Sequence, residues 1–307
     1  MTRTSTATAF DRAIQSMNSQ QSRLHQLQQQ IATGEKSTRA ADDPVAAAQA
    51  ASVRGEITRI DVERRMVGFA RTILQQADTA LGTGADLMNM ARDLVLQANN
   101  ATLNANDRAS IANEIRGLRA ELLAVANTRD GSGAFVFGGQ GTRTAPFVET
   151  AAVVDYVADP GSQQVGQDVR VSTSLDGHAA FMSIPDGAGG RQSIFAVLDA
   201  AAATLSDPDA TAAEIQAATE AAINGLDSGL ASASLARSTV GGQLRMIDQV
   251  EDSLDNSELD AQTRLSAIVD VDFAAAISEF ARIHNGLEAS MQTYAKLSST
   301  SLFNYIR

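Results

Sequence analysis

FAAAISEFARIHNGLEASMQTYAKL, residues 273–297, is the stretch that decides the fold. Its apolar side chains Phe273, Ile277, Phe280, Leu287, Met291 and Tyr294 step by four and three, and His284 occupies the one slot the rhythm skips. An α-helix turns once in about 3.6 residues, so this spacing lays the set along one narrow stripe, the seam of a coiled pair of helices. A half-buried strand would alternate every second residue, and the stretch does not. The opposite end of the chain repeats the pattern. Phe10, Ile14, Met17, Leu24 and Ile31 keep the same rhythm, with Gln21 and Gln28 in the skipped slots. Two seams at opposite ends of one chain predict terminal helices that pack into an assembly, with Leu302 extending the C-terminal apolar set. Polar Gln21 and His284 at core slots read as devices that fix register or choose a partner.

Moving inward, Gly34 stops the first seam and Asp43-Pro44 restarts a helix, because aspartate caps a helix start and proline suits its first position. EKSTRAAD between them reads as a bend. A helical pattern then runs from Val45 through Ile57, Ile60, Val67, Leu74, Leu81, Met88 and Val95 to Asn99-Asn100. Another follows Asn106-Asp107, with Ile111, Ile115, Leu118, Leu122 and Val125 on one stripe. At Gly131 the chain changes character. GSGAFVFGGQGT leads into a stretch of β-branched residues, glycines and Asp-Gly turns, which predicts a small insert of four or five short strands. Helix is expected again over residues 193–205 and from 212 to about 254, with Gly241-Gly242 as a kink or close-packing point. The predicted fold is mainly α: a long antiparallel helical bundle or coiled coil built from the N- and C-terminal parts, carrying a small β-rich inserted domain. Its expected divisions are 1–44 with 256–307 as terminal polymerisation helices, 45–133 with 193–255 as a helical shaft, and 134–192 as an outward-facing insert.

Composition narrows the function. Aromatic residues make up 4% of the 307 and tryptophan is absent, so burial must come from aliphatic seams and not from a bulky core. The net charge is −12, and residues 146–260 hold eighteen acids against four bases. With lysine only at Lys36 and Lys296, no basic stripe exists for nucleic acid. Absence of cysteine excludes thiolate catalysis, disulfides and Cys-ligated metals. The first residues hold no apolar stretch of a cleaved secretory signal, and no run is long enough to cross a bilayer, so neither a cleaved leader nor membrane insertion is expected.

Chemical sites fare poorly. His25, His178 and His284 lie in three separate segments without an HExxH motif or a carboxylate-rich loop, so no metal or other cofactor is expected. GGQGT at 138–142 lacks the lysine and the following helix of a phosphate loop, and reads as a flexible turn. Asp42-Asp43 cannot converge on one substrate atom, which leaves capping; Asp270 and Asp272 suit the first turn of the last helix. Those residues predict no catalytic site and no enzyme. The eleven apolar side chains of the two seams are also too few to offset the ordering of both tails, so folding of the ends should be coupled to assembly.

Three ordered motifs carry a resemblance. LHQLQQQIATGEKSTRAADDPVAAAQA (24–50), NEIRGLRAELLAVANTRDGSGAFVFGG (113–139) and IVDVDFAAAISEFARIHNGLEASMQTYAKLSSTSLFNYI (268–306) resemble the N-terminal, middle and C-terminal signatures of the bacterial flagellin family. DDPVA where filament subunits read closer to DDAAG, and SLFNYI where they read closer to VLSLL, place the resemblance nearer the hook–filament junction branch than flagellin itself. The resemblance implies terminal helices forming an inner tube, the shaft outside them and the insert outermost. It also implies export without a cleaved signal through the hollow flagellum, self-assembly into a ring or helix, and as partners a neighbouring junction protein, flagellin and a cytoplasmic export chaperone.

Overall fold

Helix dominates the chain because breakers are confined to a few places. The structure, a computed structural model, describes residues 6–299 except 38, 101, 140–142, 151–152, 159–163, 166–170, 173–174 and 188. Among these, six α-helices are formed: α1 (Thr6–Thr33), α2 (Pro44–Ala98), α3 (Ala105–Ala126), α4 (Ile194–Ser206), α5 (Ala212–Val269) and α6 (Phe273–Ser299). The chain divides into two compact units, one of residues 1–60 with 256–307 and one of residues 61–255.

The second unit is built on paired segments of α2 and α5. Val67, Leu74, Leu81, Met88 and Val95 on α2 recur every seven residues and are buried, as are Leu226, Ala233, Val240, Ile247 and Leu254 on α5. A strict seven-residue repeat keeps one seam facing its partner. Along that seam Arg64 bonds Asp255 at 2.7 Å, Arg71 bonds Asp248 at 2.6 Å and also Glu251, Arg237 bonds Asp78 at 2.9 Å, and Arg92 bonds Asp227 at 2.7 Å. Partner numbers fall on α5 as they rise on α2, so the pair is antiparallel. Exposed pairs of this kind contribute only about 0.2–1 kcal/mol each, and their regular spacing fixes register more than stability. The two carboxylates, Glu251 foremost, push the Arg71 guanidinium above its already high ordinary range.

The helix starts are capped, though α3 begins at Ala105 and not after Asn106-Asp107 as expected, because Asn104 supplies the cap. Asn104 and Asp107 form a reciprocal capping box at α3, Ser193 caps α4 through the Phe195 amide, and Thr211 with Glu214 does the same at α5. The backbone N–H of Thr211, then its hydroxyl, hold the Glu214 carboxyl below the usual carboxylate range. One expectation is corrected: α5 does not end near Leu254 but continues to Val269, since DNSELDAQTRLSAIV contains neither glycine nor proline to stop it.

Among its described residues the insert holds six short strands, one more than the upper expectation: β1 (Phe147–Thr150), β2 (Val153–Tyr156), β3 (Gln164–Val165), β4 (Val171–Ser172), β5 (Ile184–Pro185) and β6 (Arg191–Gln192), paired consecutively as three antiparallel two-stranded sheets. Two-stranded pieces are marginal alone, and an aromatic cluster holds these to the helices. Phe181, on the π-helix His178–Met182, meets Phe137 and Phe147 edge-to-face at 5.6 Å, and Phe147 also meets Tyr156 at 5.2 Å and Phe195 of α4 at 6.0 Å. Buried Arg119 of α3 ties the same region together by bonding Glu149 of β1 and Asp199 of α4. GGQGT is not a free turn at its start. Gly138 bridges Asp176, and the Gly139 amide donates to the Leu175 carbonyl at 3.0 Å; its residues 140–142 lie outside the described ones.

Glycine plays a packing role, though not at the expected pair. A methyl on Gly241 or Gly242 would meet open space, so these are not close-packing points, and α5 passes through them without a break. At Gly225 a methyl would come within 2.7 and 2.8 Å of the two Val197 methyls of α4. Val197 is β-branched and cannot swing aside cheaply. Gly225→Ala is therefore expected to lower unfolding stability by about 1–3 kcal/mol. Gly241→Ala should raise it by about 0.5–1 kcal/mol. Chemical denaturation of the two variants side by side checks the pair, and equal shifts would contradict the packing.

Candidate assembly interface

The first unit contains the terminal seams. α1 and α6 run antiparallel: the Phe10 and Tyr294 rings meet edge-to-face at 5.5 Å near one end, and Glu35 bridges Asp270 at the other. Gly34, at φ +77°, ends α1 by donating its amide to the Gln30 carbonyl, a left-handed turn that glycine adopts without penalty. Asp43 caps α2, accepting from the Ala46 amide at 2.9 Å, with Pro44 as the first helical residue. Asp272 does the same for α6 through the Ala275 amide at 3.0 Å.

Burial between the two helices is shallow. Leu24, Leu27 and Ala276 are the only side chains of α1 and α6 that are buried among the described residues. Phe10, Met17, Ile31, Phe280, Leu287 and Tyr294 are partly covered. The other apolar seam residues point outward: Ile14 is 40% exposed, Phe273 49%, Ile277 54% and Met291 49%. Gln21 is exposed too, and exposed His284 stacks on the Phe280 ring at 5.9 Å. So neither polar residue sits inside the contact made within one chain. Leu302 lies outside the described residues.

Helix geometry accounts for the division. At about 100° per residue, Phe273, Ile277, His284 and Met291 fall within about 40° of one another, while Ala276 lies about 60° to 100° round the axis from all four. The apolar face of α6 is therefore wide enough for two contacts, one made to α1 and one left open. Sequence reasoning missed Leu27 and Ala276. Leu27 sits three residues after Leu24, a readable step; alanine carries too little hydrophobic signal to mark Ala276 as the closest approach.

The remaining candidates do not converge. His25 is exposed on α1, and His178 rests its ring against Tyr156 at 5.5 Å. Among the described residues no group of three His, Cys, Asp or Glu side chains could hold a metal ion, and no helix is long and apolar enough to cross a membrane.

Comparison with known proteins identifies relatives of the chain. Residues 4–142 match the bacterial flagellin N-terminal helical region. Flagellar hook-associated protein 3 of Escherichia coli (strain K12) is 31% identical over 324 residues, covering 98% of both chains. The protein of the same name from Salmonella typhimurium (strain LT2) is 27% identical, covering 99% of this chain and 100% of its own. In fold, a putative flagellar hook-associated protein from Vibrio parahaemolyticus superposes with a TM-score of 0.67 at 21% identity, over 75% of this chain and all of that one.

Proposed function

The chain belongs to the bacterial flagellin family, as a non-enzymatic structural protein of the flagellum, and from that premise we propose that it is an adaptor which joins hook to filament and seeds flagellin assembly. The observation that carries this reading is the outward stripe of Phe273, Ile277 and Met291 beside an already formed intrachain seam. Soluble single chains seldom line up half-exposed large apolar residues on one helix without a partner to cover them. Covering each would contribute about 1 kcal/mol or more, and repetition around a closed or helical assembly multiplies that contribution.

In this reading residues 1–44 and 256–307 form the inner tube, 45–133 and 193–255 the shaft, and 134–192 the outward face. A neighbouring junction protein lies on the hook side and flagellin on the filament side, with a cytoplasmic chaperone holding the last helix before export without a cleaved signal. Gln21 and His284, exposed in the single chain, would set register between subunits. Nucleic acid has no place in the scheme. A strain lacking the gene should carry bare hooks and release flagellin into the medium, and restored filaments on complementation complete the test. Normal filaments in the deletion strain would overturn the proposal. The match of residues 4–142 to the flagellin N-terminal region favours a second reading, a minor filament subunit. Polymerisation of the purified protein alone into long filaments would select it.

Coupling of the ends to assembly has its own readout. Amides of α1 and α6 in the purified monomer should exchange with solvent at least about 100-fold faster than those of α2 and α5 at the Leu74 and Ile247 level, and should slow in isolated flagella. Equal protection in the monomer would show that the terminal seams need no neighbours.

A further inference from the structure

One flank of the α2–α5 pair is covered along only part of its length. At Gly84 an added methyl would meet Leu122 of α3 and Phe181 of the insert at 3.4 and 3.6 Å, and at Gly229 it would meet Ile194 of α4 at 2.8 Å. The cover from α3 ends at Ala126, and just past that end Gln76 Nε2 of α2 donates to the Arg129 carbonyl at 3.0 Å. Nearer the start of α2 the flank is bare among the described residues: Met66 and Phe69 are about half exposed and Val62 partly so. Helix geometry sets residues of α5 beside them. Counting about 100° per residue from buried Val67, Arg64 and Arg71 lie to one side of the seam, and Val62, Met66 and Phe69 to the other. Counted in the same sense from buried Ile247, Glu251 and Asp255 lie to one side, Met246 and Val250 to the other. Ion pairs join the first two sides across the antiparallel helices, so the second two also share a flank. The Arg71–Asp248 bond puts Met246 and Val250 level with Phe69.

The resulting strip, Val62, Met66, Phe69, Met246 and Val250, carries no charge in a chain of which 20% is charged. Arg65 stands at its rim, exposed and without a carboxylate partner among the described residues. The same compact unit has a second bare apolar face. Strand side chains alternate, so the pairing of Val148 with Asp155 and of Thr150 with Val153 places these four on the outer side of the β1–β2 hairpin. Val157, one residue beyond β2, continues that side, and all five are exposed. The inner side is fixed. Phe147 enters the aromatic cluster, Glu149 bonds Arg119 at 2.8 Å, and Asn127 donates to the Phe147 carbonyl at 2.8 Å while accepting from its amide. Asp155 has no cationic partner among the described residues.

We propose that these two faces meet between neighbouring copies of the chain: the strip of one copy receives the outer face of the next copy's β1–β2 hairpin, with Arg65 opposite Asp155. Contiguous exposed apolar residues mark a surface that a partner covers. Each face is apolar with one unpaired charge, and the two charges are opposite. Packing either face on its own likeness would bring two Arg65 or two Asp155 side chains together against their repulsion, so charge complementarity selects the cross-pairing. A contact between two different faces does not close as a dimer; it repeats into a ring or a helix. The inference rests on the reading of the chain as a repeating flagellar subunit, and gives that repeat a contact outside the terminal helices.

The cysteine-free sequence allows site-directed cross-linking in isolated flagella. Met66→Cys with Val153→Cys in one full-length chain, treated with a short bis-maleimide, should give a ladder of dimers, trimers and larger species of this protein on immunoblots. Either single variant should stay monomeric. In the double-cysteine chain, Arg65→Asp or Asp155→Arg should each cut the ladder by at least about tenfold, and the two together should restore it to within about twofold. No ladder from the double-cysteine chain on hooks that carry normal filaments would overturn the contact and leave the junction reading standing. Dimers from a single variant would overturn it in favour of like-on-like packing, and charge exchange without rescue would overturn it as well. Normal filaments in a strain lacking the gene would instead remove the junction reading itself.

Discussion

Phe181→Ala is expected to lower the stability of the unit formed by residues 61–255 by about 3–5 kcal/mol. The ring is fully buried and meets Phe137 and Phe147 edge-to-face, each at 5.6 Å, with Phe195 tilted at 6.4 Å. Its far edge lies against Gly84 of α2, where an added methyl would stand 3.6 Å from it. Truncation therefore removes contacts to the insert, to α4 and to the shaft together. The surrounding rings are themselves held, because the Gly177 amide donates to the Phe137 carbonyl and the Phe147 amide to Asn127 Oδ1, which limits collapse into the cavity. For a unit of this size the loss corresponds to a fall in Tm on the order of 10 °C. Calorimetry of the purified protein measures it, and a shift under about 2 °C would mean that the insert is fastened elsewhere.

Placing carboxylates on the outward stripe should have the opposite signature: large in assembly, small in the single chain. In Ile277→Asp with Met291→Asp, both changed side chains are about half exposed, so the monomer's unfolding should move by less than about 1 kcal/mol. If a neighbouring subunit covers them, two unpaired charges must be desolvated on assembly, at a cost of several kcal/mol each. A complemented deletion strain carrying the double variant should then lose filament growth by about 1000-fold or more, with secretion of the variant preserved. Thr293→Asp, exposed on the other side of α6, serves as the control and should assemble normally. Wild-type filament numbers in the double variant would remove α6's outward face from the interface.

These two expectations draw on different layers of information. The stripe is legible in the sequence, because steps of four and three place Phe273, Ile277 and Met291 together on any α-helix. The aromatic cluster is not. Phe137, Phe147, Phe181 and Phe195 are far apart in the chain and follow no common period, and only the folding of the insert against α4 brings them into contact. The same limit explains the glycines. Gly241-Gly242 is the conspicuous pair, yet Gly225 is where a neighbour presses, since a close approach depends on what lies opposite and leaves no local mark.

The helix starts at Ser193 and Asp43 and the stop at Gly34 were legible, because caps act through backbone groups within three or four residues; at α3 the cap is Asn104, two residues ahead of the expected Asn106. The length of α5 was misjudged for a related reason. Its last fourteen residues, 256–269, belong to a different compact unit from the rest, and a change of packing environment does not require a change of helix.

By itself the sequence determined the helical class, the two terminal seams, their capped ends, and the resemblance that made the family recognisable. All of these follow from short-range stereochemistry, in which a residue's neighbours along the chain supply its neighbours in space. Only the tertiary structure decided which side of each seam is spent within the chain and which stays open. It also decided that the breaks after α1 and α5 meet, where Glu35 bridges Asp270. Heptad spacing states how many apolar residues share a face, but the width of that face exceeds one contact, and which part is covered depends on where the partner helix lies.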